Sequence, residues 1–329
     1  MLAPLFAVIF AASLFSAAQT AAQADYAETA KQPFALNDAV SRIISELAEQ
    51  KEFAAWKKAA RTIYPLGAGL HGWVVLVQAD GKAAGYLVIT ASPADERHFI
   101  LSEYGFGEFP LYSKATLYRA LRDGELLPPQ ESAAEFREDI SFAATSVYPN
   151  ALHAVWRVSF RARHTGGETV YVDAKTGEIY PQEAEAVEKL ANKESKPPGV
   201  PVAAKFVQAV SLPEFDPYEN IGWVVDEPAN IASMRDLLEM LQSKQKLTYV
   251  AKLFQEEVVM PYAVTGYHTW DEGEAFIRLD QDGPRYIPFS VLARWGKFYE
   301  TAERSIETFA PPKPPGPDGQ SDRKQAEPV

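Results

Sequence analysis

The residues of this chain with the types for chemistry are five histidines, a set of acidic turns, and aromatics gathered toward residue 290. The histidines are His71, His98, His153, His164 and His268. No two stand at the short spacing by which a helix or hairpin presents zinc ligands, so no metal site is expected. The chain has no cysteine. That removes thiol nucleophiles, thiolate metal sites and disulfides. No Gly-x-Ser-x-Gly elbow and no glycine-rich phosphate loop occurs, so a serine triad and a nucleotide cofactor are not expected. Asp280-Gln281-Asp282-Gly283 begins like a calcium loop, but the later glutamate is missing and a β-turn fits better. Asp271, Glu272, Glu274 and Asp280 are the carboxylates a glycosidase would draw on as acid and base. Clustered acids at hairpin turns are more often simply solvated. The expectation is a non-enzyme without cofactors, with a carboxylate-dependent hydrolase as the alternative.

Binding chemistry gathers at Tyr267, His268, Trp270, Asp271 and Tyr286, with Trp223 upstream. Exposed rings stack on sugars or grip an apolar peptide, and adjacent carboxylates accept hydrogen bonds. The competing reading is a core, because alternate aromatics of a small meander normally face inward. Exposure separates the two.

The elements that position these residues are short. Asn37 or Asp38 can cap a helix running to Arg61, with Leu36, Val40, Ile43 and Leu47 at helical spacing. Strands are expected at 72–78, 84–90 and 97–104, the first two joined through Asp80-Gly81. A helix capped by Ser113 follows. A second unit begins with a helix near 133–145, then strands at 155–161 and 169–173 and a tight turn Asp173-Ala174-Lys175-Thr176-Gly177. In that turn Asp173 reads as a structural acceptor rather than a catalytic acid. After a helix at 182–192 and the Pro197-Pro198-Gly199-Val200-Pro201 linker, a helix capped by Asn230 precedes a meander at 258–270, 274–280 and 285–289, closed by a turn of helix at 290–295.

The fold class read from this pattern is α+β, with several small antiparallel meanders each covered by helices. The expected organisation is a signal peptide (1–24), an α+β module (25–130), a second module (131–192), a Pro-rich linker (193–205), a C-terminal α+β module (206–309) and a Pro-rich tail (310–329). Residues 2–18 carry no charge, and Ala22-Gln23-Ala24 offers a small-x-small cleavage site. The protein is therefore expected to be secreted or extracytoplasmic, with no membrane anchor after cleavage. A net charge of −12 excludes nucleic acid as a partner and suits cationic peptides weakly. A peptide, protein or polysaccharide of the cell envelope is the expected partner class.

Three stretches carry family resemblances. The run WRVSFRARHTGGETVYVDAKTGEIY (156–180) is similar to the strand pair of PepSY domains, with their Val-Asp-Ala-x-Thr-Gly-Glu phrase. That resemblance implies a non-catalytic module of the kind that accompanies secreted peptidases and envelope sensors. The order of helix and strands across 35–112, with GWVVLVQ, GYLVIT and ILSEYG, resembles the propeptides of streptopain-type cysteine peptidases. It implies a module that folds onto, inhibits or chaperones a partner. The stretch YAVTGYHTWDEGEAFIRLDQDG…FSVLARWGKFY resembles the second half of bacteriocin-processing, papain-fold peptidases, but Met260-Pro261-Tyr262 stands where the histidine belongs and the nucleophile half is absent. The function implied is a secreted non-catalytic binding or regulatory protein, a peptidase-inhibitor-like or envelope-associated module; a structural envelope protein is a further alternative.

Overall fold

The structure, a computed structural model, describes residues 34–67, 71–92, 95–127, 132–133, 136, 142–160, 169–181, 186–191 and 197–301. The expected leader, the 310–329 tail, the turn at 165–167 and most of the expected 133–145 helix lie outside them. Helix α1 (Phe34–Leu47) sets Leu36, Val40, Ile43 and Leu47 fully inside. A 3₁₀ turn over Lys51–Lys58 then buries Phe53 and Trp56. The expected single helix to Arg61 therefore stops early. Ala59 is already extended, and Thr62-Ile63-Tyr64 before Pro65 favours a strand. That strand, β1 (Ala60–Pro65), pairs with β2 (Gly72–Ala79). Strand β3 (Lys82–Ser92) returns through Asp80 and Gly81, which adopt the φ values of 50° and 76° that a two-residue hairpin turn requires. Strand β4 (Asp95–Phe106) completes the first meander. Val75, Val77, Leu87, Ile89 and Leu101 meet α1 in one apolar cluster.

Helix α2 (Lys114–Asp123) is capped by Ser113, whose Oγ accepts from the Thr116 amide. The next sheet is separate and four-stranded: β5 (Phe142–Val147), β6 (Val155–Phe160), β7 (Thr169–Asp173) and β8 (Ile179–Tyr180). Residues 142–145 belong to the helix expected over 133–145. The Thr145-Ser146-Val147 run pairs with β6 instead, in keeping with its β-branched side chains. Leu117 and Leu121 of α2 share a cluster with Val158, Phe160 and Val172 of this sheet.

Helix α3 (Ala186–Ala191) is followed by β9 (Val200–Pro201). The Pro-rich segment was expected to act as a spacer. Instead Val200 is fully buried, β9 pairs with β4 and the Val202 amide donates to Phe99 O. Strand β10 (Phe206–Ser211) leads, past a long connection, to α4 (Met234–Gln242). The cap of α4 is Ser233, not Asn230: Ser233 and Asp236 form a reciprocal capping box. Strands β11 (Leu247–Leu253), β12 (Val258–Trp270), β13 (Ala275–Asp280) and β14 (Pro284–Pro288), helix α5 (Phe289–Trp295) and β15 (Gly296–Glu300) follow. Strand β15 pairs with β11, the first strand of the group, so the five strands curl around Tyr249, Tyr267, Ile277, Ile287, Leu292 and Phe298.

All sheet pairings are antiparallel and the fold is α+β. The two outer meanders are not separate: β14 pairs with β4, giving the order β1-β2-β3-β4-β14-β13-β12-β11-β15, with β9 on β4 and β10 on β12.

Candidate functional site

The expected aromatic surface is the first place to look for a site. Strand β12 alternates its side chains between two faces, and both faces are covered. Tyr267 enters the cluster of Tyr249, Ile277, Leu292 and Phe298, while Trp270 joins the cluster under α1 together with Tyr286. Tyr267, His268, Trp270 and Tyr286 are at most 3 % exposed. The stacking platform expected from these four is therefore corrected to core.

Their polar atoms are used internally. Tyr104 Oη and His268 Nδ1 lie 2.9 Å apart, and Trp270 Nε1 donates to Tyr104 Oη. The Tyr286 ring stacks on His268 at 4.1 Å and on Tyr104 at 4.9 Å between centroids. Tyr286 Oη donates to Glu52 Oε2, and Arg278 binds the other carboxylate oxygen of Glu52. Burial, with Arg278 nearby, drives the His268 pKa down to about 3, so the imidazole is neutral. Gln242 Nε2 donates to Tyr267 Oη from α4. Of the remaining expected residues, Trp223 is half-buried with its indole N–H on Pro217 O. Asp271 is exposed, and its carboxylate accepts from the Lys205 amide. The acidic turns are turns: Asp280 Oδ1 accepts from the Gly283 amide, and Glu274 accepts from Ser290 Oγ while partial burial pushes its pKa up.

A second buried cluster joins three parts of the chain. Arg285 of β14 forms a two-point pair with Glu103 of β4, and also donates to Gln281 Oε1 and to Ala151 O. Tyr86 Oη and Tyr148 Oη donate to the two oxygens of Glu103. Burial works most strongly against the Arg285 charge, but Glu103, Tyr86 and Asp173 together outweigh it and its pKa is raised. Beside them Lys175 is 1 % exposed and donates to Asp282 O; burial, then Arg285, lower its pKa to about 8. Asp173 holds the turn as expected: its Oδ1 accepts from the Lys175 and Thr176 amides, its Oδ2 from Tyr180 Oη, and Gly177 takes a φ of 83°. Their hydrogen bonds tie β4, β14 and the 148–180 segment to one another.

The surface that does present recognition chemistry is the connection from Leu212 to Ala232. It leaves β10 where the Leu212 amide donates to Thr265 O, and rejoins the body where the Ala229 amide donates to Phe298 O of β15. Between these ties Asn220 caps a 3₁₀ turn, Ile221–Val224. Tyr218, Ile221, Val224 and Val225 stand out at 63, 58, 60 and 76 % exposure. Five acids accompany them, Glu214, Asp216, Glu219, Asp226 and Glu227, and no Lys, Arg or His occurs from 206 to 234. Arg278 reaches Glu214 from the body at 3.4 Å. Where the arm meets α5 and β15, a cleft of about 340 Å³ is lined by Ala229, Ile231, Phe289, Ala293, Lys297 and Phe298. The sequence named only Trp223 here. The overlooked signal is a stretch with neither helical nor strand periodicity, punctuated by Pro213, Pro217 and Pro228, that is still rich in aliphatic residues.

Among the described residues no group of His, Asp and Glu is arranged to hold a metal, and no helix is long and apolar enough to cross a membrane. Comparison with protein-family models, with curated proteins and with solved structures finds no match to the chain.

Proposed function

We propose that this is an extracytoplasmic, non-catalytic binding or regulatory protein that holds a cationic, apolar protein segment on the 212–232 arm. The observation that carries the reading is the joint exposure of Tyr218, Ile221, Val224 and Val225 within a stretch whose ionisable side chains are all acidic. Large aliphatic side chains over half exposed on one segment are uncommon in a surface without a partner. The carboxylates around them select positive charge and speed encounter. Export is supported by the uncharged N-terminal run and the Ala22-Gln23-Ala24 cleavage pattern. The regulatory sense is supported by the likeness of 156–180 to PepSY modules. A hydrolase is less well supported. In a cleft lined by Ala232, Asp236, Glu239, Ser243 and Gln245, Asp236 spends its carboxylate on the Ala232 and Ser233 amides.

The test is a fluorescence-anisotropy titration of the full chain with a labelled peptide alternating lysine and valine. Binding should weaken as salt rises and should fall about tenfold or more in the Glu219→Lys/Asp226→Lys variant, as expected for two lost rim charges. Equal affinity in that variant would remove the arm from the reading.

A further inference from the structure

The arm grows directly out of β10, and β10 has one side open. Its backbone phase follows from its ties to β12. The Leu212 amide donates to Thr265 O and the Asp271 amide to Lys205 O, while Trp270 turns its own amide the other way, to Glu274 O in the β12–β13 hairpin. On β12, Thr265, Tyr267 and Thr269 therefore face β10. Their partners Val210 and Gln208 point their N–H and C=O groups at β12. Ala209 and Ser211, between them, direct theirs outward, and among the described residues no strand pairs with that side. Val207 is 61 % exposed and Gln208, Ala209 and Ser211 are exposed.

Exposed edges are usually blunted by charge, proline or cover. Strand β1 carries Arg61 and ends in Pro65, and β15 carries Lys297 and is flanked by the arm through Ala229 and Phe298. Strand β10, FVQAVS, has no charge and no proline within it. It also has a tyrosine, three aliphatic side chains and five acids immediately C-terminal to it.

The geometry points to β10 as a docking edge that takes the partner as an added antiparallel β-strand. This rests on the arm being the binding surface and names how the partner is held. An antiparallel strand on β10 enters with its N-terminal end beside Glu214, Asp216 and Glu219, so that end carries the lysines or arginines. Its following residues accept from and donate to Ala209 and Ser211, and main-chain bonds of this kind tolerate varied side chains. A second copy of this chain fits poorly, because the N-terminal end of its β10 would offer the acidic arm only Lys205, whose ammonium is already bound to Glu46.

The test uses the same lysine–valine peptide and a copy N-methylated at alternate residues, titrated against the full chain. Proline at 209 removes an outward N–H and leaves the Gln208 and Val210 bonds to β12 untouched. Ala209→Pro should keep the wild-type melting point yet bind the peptide about tenfold more weakly, and N-methylation should cost the wild type at least as much but cost Ala209→Pro less, since both changes remove the same main-chain bonds. If Ala209→Pro and the N-methylated peptide both bind as wild type while Glu219→Lys/Asp226→Lys does not, the arm binds but strand addition is wrong. If the wild-type chain binds no peptide, both readings fall. Sedimentation of the full chain should show a monomer; a dimer dissolved by Ala209→Pro would mean that the edge takes a second copy, and would overturn the partner proposed.

Discussion

Arg285 Nε donates to Glu103 Oε1 at 2.9 Å and Arg285 Nη2 to Glu103 Oε2 at 3.1 Å, with neither side chain more than 2 % exposed. The two residues are 182 apart in sequence. Both charges have left water, and each is compensated by the other and by tyrosine, amide and carbonyl groups around it. Such a pair stabilises little against an apolar replacement, but half of it is costly.

Glu103→Ala should therefore destabilise the protein by about 3–5 kcal/mol, since it leaves a buried guanidinium uncompensated. Glu103→Leu/Arg285→Met should recover much of that loss. Urea unfolding of the three proteins measures both effects, and a Glu103→Ala cost no larger than the double variant's would contradict the account.

Trp270 packs against Tyr104, Phe206 and Phe276. Truncation to alanine should cost roughly 3–5 kcal/mol, the range for a large buried aromatic. Thermal melting should show a clear drop. Trp223→Ala, on the half-exposed arm, should shift the midpoint far less.

Acid should unfold the protein through its histidines. His153 is held down to about 4 by burial and the nearby Arg294, and His268 to about 3. Both folded values lie below the unfolded value of about 6.5. The unfolded chain then binds more protons, and stability falls as pH drops below that value toward 4. It should be insensitive to these groups above pH 7. His153→Phe and His268→Phe should each flatten the dependence between pH 7 and 4, read as the urea midpoint at each pH.

Lys175 predicts the opposite limb. Its folded pKa of about 8 lies below the ordinary lysine value of 10.5. From pH 8 upward the unfolded chain holds the extra proton, so stability should rise until the buried tyrosines, whose pKa values are raised, begin to oppose it. The gain is about 3 kcal/mol at most. Lys175→Met should abolish the rise between pH 8 and 10 in the same assay.

The sequence was most informative where local chemistry is decisive. Asp80-Gly81 and Asp282-Gly283 make turns at positive φ, Ser113 caps its helix, and Asp173 organises its turn. These depend on a few adjacent residues. What could not be read depends on distant partners. Strands β1 and β9 exist because β2 and β4 offer edges to them, and helical spacing on one side or a proline cluster on the other disguised them. The aromatics of β12 fall on both of its faces, Tyr267 on one and Trp270 on the other. Only the sheet continuity from β4 to β14 reveals that both faces are covered.

That continuity has a kinetic consequence. Strand β4 is complete at Phe106, yet its neighbour β14 begins at Pro284. While the chain is being made, the edge at Tyr104 and Gly105 waits for its partner through the synthesis of a whole second sheet, β5 to β8. Glu103 waits there too, deprived of its guanidinium. Contacts of such sequence separation slow folding and leave pairing edges open to aggregation. A nascent or truncated chain that stops before residue 284 should thus behave as a sticky, incomplete sheet, and a helper that shields the β4 edge should raise the yield of folded protein.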